Sequence, residues 1–242
     1  LNLEVSTQDV PSEELLEVLK SYRAKKKYHR LKNGDFLSLE EESLATLEEM
    51  MNVLRLSPKE LLNGKVKLPL YRALYLDKLL EKNEDIYSNR DSYFRELVKN
   101  FKTVKDADFE VPDSLRKVMR GYQRMGYRWL RMLEEYGMGG ILADDMGLGK
   151  TLQVIAVLLA AKLEGGKGVS LVVTPASLVY NWGEELQRFA PELTSCIITG
   201  NQEERAEKLC HFKEYDVILT SYDLLKRDIA EYEGKEFHYQ II

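Results

Sequence analysis

Nine residues, Ala143–Thr151 (ADDMGLGKT), bring together the residue types that bind phosphate. Phosphate loops follow G-x-x-x-x-G-K-[ST]. Gly149, Lys150 and Thr151 fill the last three positions, but Asp144 stands where the first glycine belongs. The physical requirements are still met. Gly147 and Gly149 let the backbone bend until its N–H groups converge. A helix that starts near Lys150 adds the positive end of its dipole. Lys150 supplies a point charge for β- and γ-phosphates, and the Thr151 hydroxyl can ligate a magnesium ion held through the nucleotide. The bland alternative is a glycine-rich strand-to-helix turn with a chance Lys-Thr. Asp144, where a strand ends, suits hydrogen bonds from loop amides, or pairing with a basic residue outside this chain. Both acids precede the loop, whereas an attacking water must lie beyond the γ-phosphate.

The elements around the loop must hold it open. GGILA before it reads as a strand, and the helix behind it is apolar nearly all round, with Leu152, Val154, Ile155, Val157, Leu158 and Leu159. Such a helix is covered on both sides. The runs VSLVVT, SLVYNWGEELQRF, CIITG, an Arg/Glu/Lys-rich helix, DVILTSY and FHYQII follow. Strand alternating with helix predicts an α/β fold with a parallel sheet and crossovers. Ligands in such sheets sit at the carboxyl ends of the strands, where GKT and the TP of VVTP both fall. Trp182 reads as a packing residue.

The first half has a different texture and predicts a mostly helical α+β accessory region. LNLEVS alternates as a strand does, and Ser12–Lys20 is a short helix. Asn33-Gly34 predicts a two-residue hairpin turn with positive φ at both positions, setting Lys32 opposite Asp35 and Leu31 opposite Phe36. Ser38 and Glu41 suggest a capping box for a helix whose Leu44, Leu47, Met51 and Leu54 share a face. Ser57-Pro58-Lys59-Glu60 starts another helix and Asn63-Gly64 stops it. Amphipathic helices follow around Tyr71–Lys82 and Asp91–Phe101, the second with Phe94, Leu97, Val98 and Phe101 on one face. A polar linker is expected at Lys102–Pro112, which divides the chain into 1–112 and 113–242. Lys20, Arg23, Lys25, Lys26, Lys27, Arg30 and Lys32, interleaved with Tyr22, Tyr28 and His29, form the most basic stretch. It suits a DNA backbone, but reads better as a solvated helix end before a lysine-guarded edge strand. Glu40, Glu41, Glu42, Glu48 and Glu49 offset its field.

The bulk composition limits the function classes. The net charge of −5 excludes a polycation, so nucleic-acid contacts must be local or made by polar backbone groups. Cys196 and Cys210 lack zinc or redox spacing, and His29, His211 and His238 are scattered, which suggests a reducing cytoplasm and no structural metal. No apolar run approaches the roughly 20 residues of a membrane helix. With neither a signal peptide nor an initiator Met, the chain is expected to be a piece of something longer.

The loop in the form D-[DE]-M-G-L-G-K-T resembles motif I of the Swi/Snf-type ATPases of helicase superfamily two, where Asp at the first position is usual. LRKVMRGYQRMGYRWL is similar to that family's L-R-x-Y-Q-x-x-G-x-x-W-L segment, with Met119 for Leu and Gly121 for a frequent Pro. VVTPASLVYNW resembles motif Ia, ITG motif Ib, and DVILTSYDLL the next block. The likeness runs from Leu115 to Ile242. It implies a RecA-like P-loop lobe, the first of two, that binds ATP and Mg2+ and serves translocation along double-stranded DNA. It implies nucleotide contacts from Arg120, Gln123 (at the adenine edge), Met146, Gly147, Leu148, Gly149, Lys150 and Thr151, the last two also catalytic. It implies that Thr174, Pro175, Ser177, Thr199, Gly200, Thr220 and Ser221 line the DNA side.

In this family the last strand leads into Asp-Glu-Ala-His or Asp-Glu-Ala-Gln, whose Asp holds Mg2+ and whose Glu activates water. Here that motif II would begin after Ile242. The resemblance therefore implies a parent that is an ATP-dependent DNA translocase, whose second lobe brings an arginine finger. The piece itself is expected to be a weak nucleotide binder without useful turnover. Residues before Pro112 resemble the region preceding the motor in bacterial members, which implies a cytoplasmic, nucleoid-associated protein. A non-catalytic nucleotide-fold scaffold or protein-binding module is the alternative. A DEAD-box RNA helicase is opposed by Met146-Gly147-Leu148 and by the G-Y-x-W-L run after Gln123.

Overall fold

The computed structural model describes residues 2–4, 10, 14–40, 42–57, 59–60, 65–82, 90–103, 109–166 and 168–242. It separates into two compact units, Leu1–Lys102 and Thr103–Ile242. No described helix is long and apolar enough to cross a membrane.

In the first unit, β1 (Asn2–Glu4) pairs antiparallel with β4 (Lys65–Lys67). Helix α1 (Leu15–Arg23) buries Leu15, Val18 and Leu19, an i, i+3, i+4 face. Val18 shares a core with Leu31 and Leu39 of the hairpin and with Leu44 of α2 (Glu42–Leu54). The reciprocal box expected at Ser57 and Glu60 is present: the Glu60 amide donates to Ser57 Oγ at 3.2 Å and the Ser57 amide to Glu60 Oε2 at 2.8 Å. After a 3-10 turn at Leu70–Arg72 come α3 (Ala73–Lys82) and α4 (Ser92–Lys102). The α4 start is capped by Asp91, and the helix buries Phe94, Leu97 and Val98. Ser12, Glu41, Pro58, Asn63 and Gly64, and residues 104–108 of the expected linker, lie outside the described residues.

The hairpin differs from the expected register by one residue. β2 (Tyr28–Arg30) meets β3 (Phe36–Ser38) with Arg30 opposite Phe36 and His29 opposite Leu37. The Leu31 amide donates to Asp35 O and the Gly34 amide to Leu31 O. Only Gly34 takes positive φ, at +100°, so the loop is a turn plus one left-handed glycine rather than a two-residue turn. Tertiary burial decided the matter. Leu31 is buried in the core, and the Lys32 amide donates to the Glu14 carboxylate at 2.8 Å. The lysines and arginines of the basic stretch are solvent-exposed, and Arg23 pairs with Glu48 at 2.9 Å.

The second unit is built on a four-stranded parallel sheet of order β6-β7-β5-β8: β5 (Ser170–Thr174), β6 (Ser195–Ile197), β7 (Val217–Ser221) and β8 (Gln240–Ile241). Alternate side chains of β5 and β7 enter two separate cores. Val172, Val217 and Leu219 pack with α7 (Lys150–Leu163) and α8 (Val179–Phe189). Leu171, Val173 and Ile218 pack with Leu209 of α9 (Gln202–Cys210), Phe212 and Tyr232. Both faces are covered, which is why these strands read as continuous apolar runs. α5 (Asp113–Arg116) and α6 (Gly121–Glu135) precede the phosphate loop; α10 (Tyr222–Arg227) and α11 (Ile229–Tyr232) follow β7. Trp182 packs on the first core.

GGILA does not form the expected strand. Residues 139–145 pair with no described strand, and Ile141 is 87% exposed. A strand exists through its ladder, and this segment lies on α6 instead. A Cβ on Gly140 would stand 2.4 Å from Leu133 Cδ1 and 2.7 Å from the Trp129 ring.

A polar node closes the amino-terminal edge of the sheet. Asp216 Oδ2 accepts from Lys162 Nζ (2.6 Å), the Thr194 amide (2.7 Å) and the Thr194 hydroxyl (2.8 Å). Burial disfavours the Asp216 charge, but these donors outweigh it and hold the carboxyl below the usual carboxylate range. A depressed folded-state pKa gives stability that is present above the unfolded value, about 3.9, and lost as pH falls through the folded one. The stability gap between the unsubstituted chain and Lys162→Met is therefore expected to be constant near neutrality and to shrink below about pH 4. Urea unfolding at several pH values measures it, and a gap that widens with acid would contradict this account.

Candidate nucleotide-binding site

The loop enters α7 through Gly149, whose φ is +70°, and Gly147 has φ +83°. Both are left-handed, a conformation that side chains other than glycine rarely adopt. Nothing lies within 4 Å of where a Gly147 Cβ would stand, so the turn faces open space. Met146, at its tip, is 96% exposed. Lys150 Nζ donates to the main-chain oxygens of Asp144 (2.8 Å) and Asp145 (3.1 Å), across the mouth of the turn. Thr151 is half-buried in the first turn of α7. An open turn, an ammonium beside it and a helix start fit a phosphate chain, with the Thr151 hydroxyl as the local candidate for a magnesium ligand.

The Arg120–Gln123 end of α6 braces the loop. Gln123 is 6% exposed. Its Oε1 accepts from the Arg120 amide (2.9 Å), and its Nε2 donates to Leu148 O (3.0 Å). A Cβ on Gly149 would fall 2.5 Å from that Nε2, so glycine is needed there for closeness as well as for φ. The Tyr122 hydroxyl also donates to Leu148 O, at 3.1 Å.

Asp144 turns inward. Its Oδ2 accepts from Gln153 Nε2 at 2.9 Å, and Gln153 is wholly buried against Gly126, where a Cβ would meet Gln153 Oε1 at 1.8 Å. The acid that replaces the usual first glycine is thus tied to the first turn of α7. Tyr122 and Gly126 entered the sequence reading only as members of the L-R-x-Y-Q-x-x-G-x-x-W-L segment, and Gln153 was not singled out. Gln153 carried a signal: it is a polar residue inside a helix that is otherwise apolar nearly all round. Gln153→Leu keeps the bulk and removes the donor, and is expected to weaken MgATP binding about 5- to 10-fold with the fold intact. Titration with a fluorescent ATP analogue, alongside circular dichroism, checks it.

The residues expected on the DNA side gather at the carboxyl ends of three adjacent strands. Thr174 and Ser221 are register partners at the ends of β5 and β7, and Thr220 lies opposite Val173. Thr199 and Gly200 follow β6, and Pro175 and Ser177 are exposed just past β5. Ser221 caps α10 through a bond from the Leu224 amide (3.3 Å), whereas no side chain caps α8, so Ser177 does not begin that helix as a cap. Thr220 is fully buried, which places its side chain inside the fold rather than on a surface. Lys208 Nζ donates to the Ile197 and Thr199 oxygens at 3.1 Å each and fixes the turn after β6.

A glycine-built turn feeding a buried helix of a parallel α/β sheet defines this unit as a P-loop nucleotide-binding lobe. Comparison with known proteins narrows that class. Residues 122–242 match the family described as SNF2-related domain, and residues 1–112 match Bacterial SNF2 helicase associated. The chain belongs to the SNF2 family. It is 34% identical over 183 residues to an "Uncharacterized ATP-dependent helicase" of Mycoplasma pneumoniae, covering 73% of this chain and 17% of that protein. It is 39% identical over 140 residues to the "Putative ATP-dependent helicase/translocase YwqA" of Bacillus subtilis, covering 57% of this chain and 15% of that protein. Among solved structures, the Sulfolobus solfataricus SWI2/SNF2 ATPase core in complex with dsDNA is 44% identical, covering 50% of this chain and 25% of that one, with a TM-score of 0.46. The chain therefore spans less than a fifth of the length of these two relatives.

Proposed function

We propose that the chain is the ATP-binding part of an ATP-dependent double-stranded DNA translocase of bacterial type, acting in the cytoplasm at the nucleoid. Residues 1–112 form its accessory region and 113–242 the nucleotide lobe. Lys150, Thr151 and the amides of Gly147–Gly149 hold the phosphates and Mg2+, while Arg120 and Gln123 meet the base. Mg2+ held there would supply charge neutralisation to the phosphates. Pro175, Ser177, Thr199 and Gly200 contact DNA phosphates through hydroxyls and amides, which position a protein without reading sequence. For Thr174, Thr220 and Ser221, burial favours support of that edge over direct contact. A second RecA-like lobe of the parent completes the machine.

One observation carries this reading: the Lys150 ammonium rests on main-chain oxygens at the rim of a turn made by two left-handed glycines. Phosphoryl transfer also needs a group that orients the attacking water. Asp144 is engaged by Gln153 and lies before the loop, so the 242-residue chain alone is expected to bind MgATP without multiple turnovers. Calorimetric titration with MgATP and a colorimetric phosphate assay test both parts. No binding at millimolar nucleotide would remove the nucleotide reading, and sustained phosphate release would remove the second part.

A further inference from the structure

The turn after β6 is held from behind by the side chains of α9. Arg205 is 4% exposed and Asp228 7%. The guanidinium forks onto that carboxylate, Nε to Oδ2 at 2.6 Å and Nη2 to Oδ1 at 2.7 Å. Its remaining nitrogen, Nη1, donates to Gly200 O at 2.8 Å. The Lys208 ammonium takes the carbonyls of Ile197 and Thr199. Three carbonyls of the turn are thus drawn toward α9. The amides behave differently. Ile198 donates to Leu219 O, Thr199 to Ile197 O and Asn201 to the Glu204 carboxylate at 3.0 Å. The Gly200 amide, on an exposed residue, has no partner among the described residues. Gly200 has φ +110°, and a Cβ there would stand 1.9 Å from Glu204 Oε2. A main-chain amide left to solvent can donate to a phosphate oxygen.

We propose that Arg205 is a positioning residue which, through Asp228 and the Gly200 carbonyl, fixes the Thr199–Gly200 turn so that the Gly200 amide meets a phosphate of duplex DNA. This rests on the DNA-side reading given under Proposed function. Asp228 closes α10, the helix capped by Ser221, so one side chain ties the turn after β6 to the far end of the helix that follows β7. A purely structural ion pair would need only the fork. The third bond, to Gly200, is what reaches the proposed contact surface.

The test uses the 242-residue chain, a fluorescein-labelled blunt DNA duplex read by anisotropy, and a fluorescent ATP analogue. Arg205→Met with Asp228→Leu replaces the pair by apolar groups, an exchange that folds often tolerate. Arg205→Lys keeps the charge beside Asp228 but cannot also reach Gly200. Both variants are expected to bind duplex about tenfold more weakly, with nucleotide affinity unchanged and the Gly200 amide resonance shifted in 15N spectra. If the double variant does not fold, Arg205→Lys carries the same expectations. Unfolding of both would make Arg205 a stability residue and overturn the proposal. Thr199→Val separates the two layers. Weaker duplex binding by Thr199→Val, with folded Arg205 variants binding as the unsubstituted chain does, overturns the positioning role and leaves the DNA face standing. Duplex binding unchanged in all variants, or undetectable in the unsubstituted chain, overturns both.

Discussion

Lys150→Ala is expected to weaken MgATP binding by the chain about 100-fold, because charge-assisted hydrogen bonds contribute roughly 1.5–3 kcal/mol each. The ammonium now lies on two neutral oxygens, those of Asp144 and Asp145. On the proposed reading, anionic phosphate oxygens would replace them when nucleotide binds. Alanine cannot make that exchange, yet it is the best helix former and keeps the start of α7. The loss should therefore appear in affinity and not in folding. Fluorescence titration with an ATP analogue and a thermal melt of the same sample separate the two. Equal affinity in the two proteins would mean that the turn is not a phosphate socket.

The second large effect is on stability. Arg131→Met is expected to destabilise the second unit by about 2–3 kcal/mol, less than the roughly 3–5 kcal/mol for breaking a fully buried pair, measured by urea unfolding. Arg131, on α6, is 7% exposed and forks onto Glu164 at 2.9 and 2.6 Å. Its Nε lies 2.8 Å from Glu134, and its guanidinium 5.5 Å from the Phe109 ring centre. Burial opposes the Arg131 charge, but Glu164 and Glu134 outweigh it and raise the pKa above the usual arginine value. Glu164 is more than half exposed, so water would solvate it after the substitution, which tempers the loss. Glu134 also accepts from the Tyr239 hydroxyl. Burial and that bond push the Tyr239 phenol up. Because the Leu171 amide donates to Tyr239 O, loosening Glu134 should speed hydrogen exchange at Leu171 and around β8. Unchanged stability and exchange would mean that the network is ornamental.

The parallel sheet was legible because burial on both faces leaves a mark in composition. SLVVT and VILTS can be little else between helices. The phosphate loop was legible because its chemistry is local: five consecutive residues supply the bend, the charge and the hydroxyl. What escaped depended on distant partners. Asn33-Gly34 suggested a turn type, but the burial of Leu31 and the hydrogen bond to Glu14 set the register. GGILA has strand composition, yet a ladder needs a neighbour, and the segment packs on Trp129 and Leu133 of α6. Nothing local marks the Arg205–Asp228 pair, whose members meet only once β6 and β7 lie side by side.

Asp144 and Asp145 look at first like rivals of any incoming triphosphate. Among the described residues no carboxylate lies within ion-pair distance of Lys150, because Asp144 is engaged by a carboxamide and both acids offer the ammonium only their main-chain oxygens. The socket thus carries no internal counter-ion for a polyanion to evict. Its cation rests on uncharged ligands alone.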